Sequence, residues 1–336
     1  MRILSYVLKV LALVGIVIPA YLFLRNEYTY SSTQNHINTW NRQRVSDFRS
    51  LPDNTLNMLF LGSSHVYCTF APELIDDMLN TESFNFGMPL QYADSTYFTL
   101  VEALKTQRPN TVVVDVYWGV LGQDFDVKQA DTLLTAFDDD SLRRAYIDEI
   151  FPWNEKIKYR FGLIRYQLDF LTYYNTKLLN FLERYGWERE FGSQQGTERY
   201  DYRGFMWCDY NMLPDEYDKT NQFARLDGAA FEFSPVQLGY LDKIWKLCEN
   251  KGVDLIFVTA PIAPVSMNLI SNYDDINRVV KEFATQRQIP YLDYNALNRD
   301  EGLFTNDNFR DDAHLNYSGA EIVSRHFAQW YSGGIT

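Results

Sequence analysis

Basic residues are in short supply: 31 Lys and Arg stand against 44 Asp and Glu, for a formal charge of −13 over 336 residues. Phosphate contacts need basic patches, so the balance argues against nucleic acid as a partner and against a polyphosphate polymer as substrate. Cysteine is scarce too, with only Cys68, Cys208 and Cys248. No spacing among them resembles a zinc site or a redox pair. No metal and no other cofactor is expected. One disulfide is open to the chain outside the cytoplasm, Cys208–Cys248, and three buried free thiols suit the sequence equally. Nothing local marks Cys68 as a nucleophile, and it reads as a small core residue. Internal repeats and low-complexity segments are lacking. With 46% apolar and 22% charged residues the composition is that of a folded globular protein.

One long hydrophobic run is present. Ile3 to Leu24 is a 22-residue stretch whose only charge is Lys9, long enough to cross a bilayer as a helix. Arg2, Lys9 and the terminal amine precede or enter it, which favours a cytoplasmic N-terminus and an extracytoplasmic body. The alternative is a cleaved signal peptide, but no clear small-x-small cleavage site follows Leu24. The expected location is therefore the cell membrane, with a single pass. The expected organisation is an anchor over 1–25, a stalk over 26–55 and a main domain over 56–336.

From residue 56 the chain alternates short apolar runs with helical periodicity. Leu56 to Gly62, Ser83 to Gly87 and Thr111 to Trp118 read as strands. Pro72 to Leu79 and Tyr92 to Thr106 read as helices between them. Such β-α-β-α-β order with short loops predicts a parallel sheet, and the β-branched run at 111–118 suits a strand covered on both faces. The pattern returns with a helix over Val236 to Lys251, stopped by Gly252, then a strand over Val253 to Thr259. A helix over 272–288, a short strand at Tyr291 to Asp293 and a last helix from Tyr317 to Tyr331 complete it. Between the halves, about 122–235, the pattern breaks. Segments at 156–166 and 167–185 look helical and 187–233 irregular. Phe151 to Pro235 holds 21 aromatics in 85 residues, against 16% in the whole chain. This is read as an inserted aromatic-rich cap, since large rings supply the buried area that irregular backbone needs. The same rings could also stack on sugars.

Two segments carry chemistry. Leu61-Gly62-Ser63-Ser64-His65 sets a serine on a tight turn where a strand gives way to a helix. Asp311-Asp312-Ala313-His314 offers a carboxylate and an imidazole three residues apart. In a parallel α/β sheet, sites form at the carboxyl ends of the strands. Ser64 stands at the end of the first strand, and His314 precedes the last helix, so the two can meet. Serine needs a base within hydrogen-bond reach, and the base needs a carboxylate to fix its tautomer. Asp311 folds back toward His314 across a turn, whereas Asp312 points elsewhere and is expected to be solvated or to cap the following helix. Taken singly, each piece also fits a bland role: a cap at Ser63–Ser64, a cap at Asp311 or Asp312, a packing histidine at His314. His65 reads as pocket-lining.

These residues resemble the SGNH/GDSL hydrolase superfamily. Leu61-Gly62-Ser63-Ser64 is similar to its first block, with Ser64 at the nucleophile position. Asn85-Phe86-Gly87-Met88-Pro89 is similar to the second. Asp311-x-x-His314 followed by Leu315-Asn316-Tyr317-Ser318-Gly319-Ala320 is similar to the last. The resemblance covers 56–121 and 236–333. It implies a flavodoxin-like three-layer α/β fold, with Ser64, His314 and Asp311 as triad. Two departures stand out. The second-block glycine falls near Leu90. The third block reads Tyr117-Trp118-Gly119, with no asparagine. The oxyanion hole would then rest on the amides of Ser64, Gly87 and Leu90 and on Gln91, with Tyr117 and Trp118 lining the pocket. A missing donor costs about 10²–10³ in rate. Departures of this kind with one N-terminal anchor resemble the branch of DltD and the alginate O-acetylation proteins. That branch implies a polytopic membrane-bound O-acyltransferase as partner and a cell-surface glycan as acceptor. A carbohydrate esterase with the same triad and an impaired binding or scaffold protein are the other readings.

Overall fold

The computed structural model describes residues 2–32, 36–137, 140–160, 198–213, 217, 220–229 and 231–334. The expected helix at 167–185 lies outside these residues, as does most of that at 156–166. Two compact units divide the chain, Met1–Thr39 with Asp139–Ser193 and Trp40–Asp138 with Gln194–Thr336.

In the first unit, α1 (Arg2–Ser32) contains one segment, Ile3–Leu22, long and apolar enough to cross a membrane. Its composition fits a signal sequence or an anchor alike. The unit's other described helices are α7 (Asp140–Ile150) and α8 (Trp153–Arg160), joined by edge-on rings of Tyr146, Phe151 and Tyr159.

The second unit holds a five-stranded sheet. Its strands are β1 (Met58–Leu61), β2 (Ser83–Asn85), β3 (Thr111–Asp115), β6 (Asp254–Thr259) and β7 (Tyr291–Asp293), in the order β2-β1-β3-β6-β7, all parallel. Every residue of β1 and β3 is buried, as expected of strands covered on both faces. On one face Phe60, Val113, Ile256 and Val258 form a cluster with Phe70, Ile75, Val323 and Phe327. These come from α4 (Pro72–Leu79), α13 (Tyr317–Ser332) and the end of α3 (Ser64–Thr69). Alternate residues turn to the other face, where α5 (Ala93–Ala103) packs against α9 (Pro235–Lys251). Between β6 and α13 the chain forms α10 (Pro264–Met267), α11 (Tyr273–Gln286) and α12 (Tyr294–Glu301). The fold is α/β with three layers. Gly252 ends α9 at φ 66°, the left-handed stop its sequence calls for.

Within the expected cap, 122–235, α6 (Val127–Ala136) is helical, and β4 (Glu198–Tyr200) and β5 (Met206–Cys208) form an antiparallel hairpin. The expected stalk is helical as α2 (His36–Ser50), but from Trp40 it belongs to the sheet unit. Asn41, Arg44, Val45 and Phe48 are buried there. Arg44 donates from Nε (3.1 Å) and Nη2 (3.0 Å) to the Gly204 carbonyl, and from Nη1 to Asn41 Oδ1 at 3.0 Å. Its guanidinium lies over the rings of Tyr67 and Tyr200 at 4.9 and 5.5 Å. Gly204 sits at φ 93°, and a Cβ there would lie 2.0 Å from the Asn85 carbonyl oxygen. Only glycine allows this approach.

Candidate active site

The serine turn follows from close packing at the end of β1. Gly62 takes φ 143°, and a Cβ on it would lie 2.8 Å from both Asp115 Cβ and Val66 Cγ2. Ser63 then caps α3, its Oγ accepting the His65 N–H at 3.3 Å. Ser64 is the first residue of that helix, so its hydroxyl stands at the carboxyl edge of the sheet.

The histidine arrives from the loop before α13. Phe309 and Leu315 form an isolated antiparallel bridge, and the Arg310 N–H donates to the His314 carbonyl at 2.9 Å. This closes a tight loop around Asp311. Asp311 Oδ1 accepts the N–H groups of Ala313 (2.9 Å) and His314 (2.7 Å). His314 Nδ1 lies 2.9 and 3.0 Å from the two carboxylate oxygens. His314 Nε2 lies 2.8 Å from Ser64 Oγ. An ionised carboxylate only accepts, so Nδ1 carries the proton and Nε2 is left to accept from the serine. Burial alone would push the Asp311 carboxyl up. The His314 ring, its hydrogen bond, the Arg310 guanidinium 3.5 Å away and the Ala313 amide outweigh it and hold the carboxyl below the usual range. Arg310 also pairs with Glu198 of β4.

Serine, imidazole and carboxylate are thus in line.

A protein-family model matches residues 220–334, the stretch that carries Asp311 and His314. No curated protein matches the chain. Among solved structures it is similar to a proposed acylhydrolase of Bacteroides fragilis, at 12% identity over 88% of this chain and 98% of that one, with a TM-score of 0.41. A GDSL-like lipase of Bacteroides thetaiotaomicron matches at 9% identity over 87% and 97%, with a TM-score of 0.39. An acetylxylan esterase of Geobacillus stearothermophilus matches at 12% identity over 84% and 96%, with a TM-score of 0.39. At these identities and scores the functional reading rests on the site's own geometry.

The oxyanion donors differ from the sequence reading. The Gly87 N–H is taken by Asn85 Oδ1 at 3.2 Å. Gln91 is buried, with Nε2 donating to Thr96 Oγ1 at 3.1 Å. The Gly87 amide is therefore not the free donor expected of it, and Gln91 Nε2 spends one of its two hydrogens on Thr96. Gly87 serves packing instead. A Cβ there would lie 2.9 Å from the Ser63 carbonyl oxygen, so its absence lets the second block close on the serine turn. Among the described residues no acceptor takes the amides of Ser64 and Leu90. Leu90 is 47% exposed and sits at φ 55°, a conformation that glycine adopts without cost.

His65 stacks on Tyr117 at 3.9 Å between ring centroids and lies 4.9 Å from the His314 ring. Burial first, then the neighbouring His314, pushes its pKa well below the ordinary value, so it is a neutral ring beside the base. Tyr117 is in contact with the site through it. Trp118 is core instead: buried, and packed edge-on against Phe223, Phe231 and Tyr273. Asp312 is neither solvated nor a cap. It is buried, and its carboxylate accepts from Gln222 N (3.2 Å) and Nε2 (3.0 Å). Asn316 caps α13, accepting the Gly319 N–H at 3.2 Å.

Cys68, Cys208 and Cys248 are all free and buried, so the disulfide open to the sequence is not formed. Burial pushes the Cys68 thiol up to about 12, which leaves no thiolate to compete with Ser64. Among the described residues no group of three His, Cys, Asp or Glu is placed to hold a metal ion.

Two site residues escape a reading of the sequence. Asn85 donates from Nδ2 to the carbonyls of Val66 (2.9 Å) and Phe70 (2.8 Å), tying α3 to the second block. Asp115 contacts the serine turn from the end of β3. Asn85 is legible only as one member of the second-block segment, and Asp115 falls inside the run read as one strand over 111–118.

Proposed function

We propose that this chain is a membrane-anchored, extracytoplasmic serine acyltransferase of SGNH/GDSL type that moves an acyl group onto a cell-envelope glycan. The observation that carries the reading is the 2.8 Å contact of Ser64 Oγ with His314 Nε2, backed by Asp311 on Nδ1. Ser64 attacks the acyl carbonyl while His314 takes its proton. The tetrahedral oxyanion is met by the amides of Ser64 and Leu90. His314 then protonates the departing group, leaving an acyl-serine. A glycan hydroxyl gives its proton to His314 and attacks the acyl carbon, and His314 returns that proton to Ser64 Oγ as the acyl–oxygen bond breaks. Asp311 stays ionised throughout and supports the imidazolium. The apolar Ile3–Leu22 segment supports action at a membrane, and the resemblance to the alginate O-acetylation branch supports a polytopic O-acyltransferase as source of the acyl group.

A carbohydrate esterase is the second reading. It is favoured by solvent access, since the side chains of His314 and Asp311 are 20% and 28% exposed and water can serve as acceptor.

Full-length protein in detergent, treated with an activated acetyl ester, is expected to gain one acetyl group on the peptide carrying Ser64 by intact and peptide mass. Adding an envelope oligosaccharide should speed loss of the adduct and acetylate the sugar. Adduct loss at one rate with and without sugar supports the esterase; absence of any adduct refutes both. The anchor is tested by sequencing the N-terminus of protein from membranes. It is expected to retain Ile3 to Leu24, whereas a terminus between Tyr28 and Asn35 means a cleaved signal.

A further inference from the structure

We propose that Asp115 is a positioning residue, whose ionised carboxylate holds the Ser63–Ser64 turn in attacking geometry. The role rests on the serine chemistry proposed above. Asp115 is the last residue of β3, between the carboxyl ends of β1 and β6. It is buried, and two donors converge on it. Ser63 Oγ donates to Oδ2 at 3.3 Å, and the Ala260 N–H donates to Oδ1 at 3.1 Å. No charged side chain hydrogen-bonds it among the described residues. Donors alone are the surroundings of a carboxylate, not of a carboxylic acid.

Ser63 transmits the contact. Its proton goes to Asp115, and the same oxygen accepts the His65 N–H while its carbonyl accepts the Val66 N–H at 3.1 Å. The first turn of the helix that begins with Ser64 is therefore hung from Asp115 through one hydroxyl. Gly62 brings the two together, since any Cβ there would run into the Asp115 side chain. Protonation reverses the arrangement. A carboxylic proton on the Ser63 side needs an acceptor, and Ser63 Oγ is the one within reach. That oxygen would have to rotate its own hydrogen away while still serving His65. The three-way lock on the turn is then lost.

Burial pushes the Asp115 carboxyl up to about 7, against the hydrogen bonds from Ala260 and Ser63, so the switch falls near neutral pH. The titratable groups facing it are Tyr117 beyond the same strand and Tyr291 of β7, and burial holds both phenols neutral there. The sign of the linkage supports a working role. A carboxyl whose folded pKa exceeds its unfolded value, about 3.9, contributes stability below the unfolded value. That stability is lost as pH rises through the folded one. At and above neutral pH the ionised Asp115 thus costs stability, which a residue kept only for packing would not explain.

The test follows the second-order rate of fluorophosphonate labelling of Ser64 against pH in the full-length protein. Wild type is expected to lose rate steeply on the acid side, because both the base and Asp115 must be deprotonated. Asp115→Asn should leave a shallower limb governed by the base alone. Its plateau should be lower by about 10²-fold, the scale of a misplaced reacting group. Ser63→Ala should give the same shallow limb, and the double variant should lose no more than either single one. Should Asp115→Asn fail to fold, Ser63→Ala decides by the same criterion. A variant limb that superimposes on wild type after uniform scaling overturns the role. A wild type that is never labelled removes the proposed activity, and this role with it; a labelled wild type with unchanged variants removes the role alone.

Discussion

Ser64→Ala is expected to abolish fluorophosphonate labelling and to lower turnover by about 10⁶-fold, the scale of losing the nucleophile from a serine triad. Ser64 Oγ is the hydroxyl within hydrogen-bond distance of His314 Nε2. The neighbouring Ser63 is committed elsewhere, donating to Asp115 and accepting from His65. Cys68, four residues on, is a buried thiol with its pKa pushed up. No second group can therefore stand in. Ser64 is partly exposed and caps nothing, so the variant should melt with wild type. Ser63→Ala weakens labelling without removing it. If Ser63→Ala alone eliminated the label while Ser64→Ala kept it, the nucleophile would lie one residue earlier than assigned.

Asp311→Asn is expected to lower turnover by about 10⁴-fold, because the amide no longer fixes the imidazole with its proton on Nδ1. The other tautomer presents an N–H to Ser64 and cannot take its proton. The fold should tolerate the change: an asparagine Oδ1 can still accept the amides of Ala313 and His314, so the melting temperature moves little. Asp312→Asn is expected to do the opposite. Both oxygens of Asp312 accept from Gln222 in a buried setting, and an amide group would turn a donor toward a donor. A cost of about 1–3 kcal/mol in stability follows, with turnover retained. Melting curves and turnover on the pair decide the assignment, and a catalytic loss confined to Asp312→Asn would overturn it. Because Asp311 is held below the usual carboxylate range, its stabilising contribution persists above the ordinary aspartate value. That contribution fades only as pH falls through its lowered one. Acid inactivation at mild pH is therefore not expected to come from Asp311.

Much of the sheet is legible in the chain because buried parallel strands are short β-branched runs. The limits of that signal are physical. Thr111 to Trp118 reads as one strand, but pairing stops at Asp115. The Val116 N–H makes one last bond to Val258, and Trp118 begins a 3-10 turn that takes its ring into the core. Apolar composition is the same on either side of that boundary. Asp311 and His314 are legible because they lie three residues apart and interact within one loop. Asp115 is not, since its contact with Ser63 is set by the register of β1 against β3, which periodicity does not encode. Asp312 hides for a similar reason: its partner is Gln222, far away in sequence. Arg44 falls within the stretch expected to be a stalk, yet its guanidinium is sealed between two tyrosine rings.

That sealed guanidinium bears on where the chain can be shortened. Cutting just ahead of the first strand, at the place where composition suggests a spacer ends, would delete Arg44 along with the apolar segment. The Gly204 carbonyl would lose both its donors, and the rings of Tyr67 and Tyr200 would be bared to water. Tyr67 belongs to the same short helix as Ser64. A chain begun there would be injured directly behind Ser64, and silence in an assay would report the cut rather than the chemistry. The first residue retained should lie ahead of Trp40.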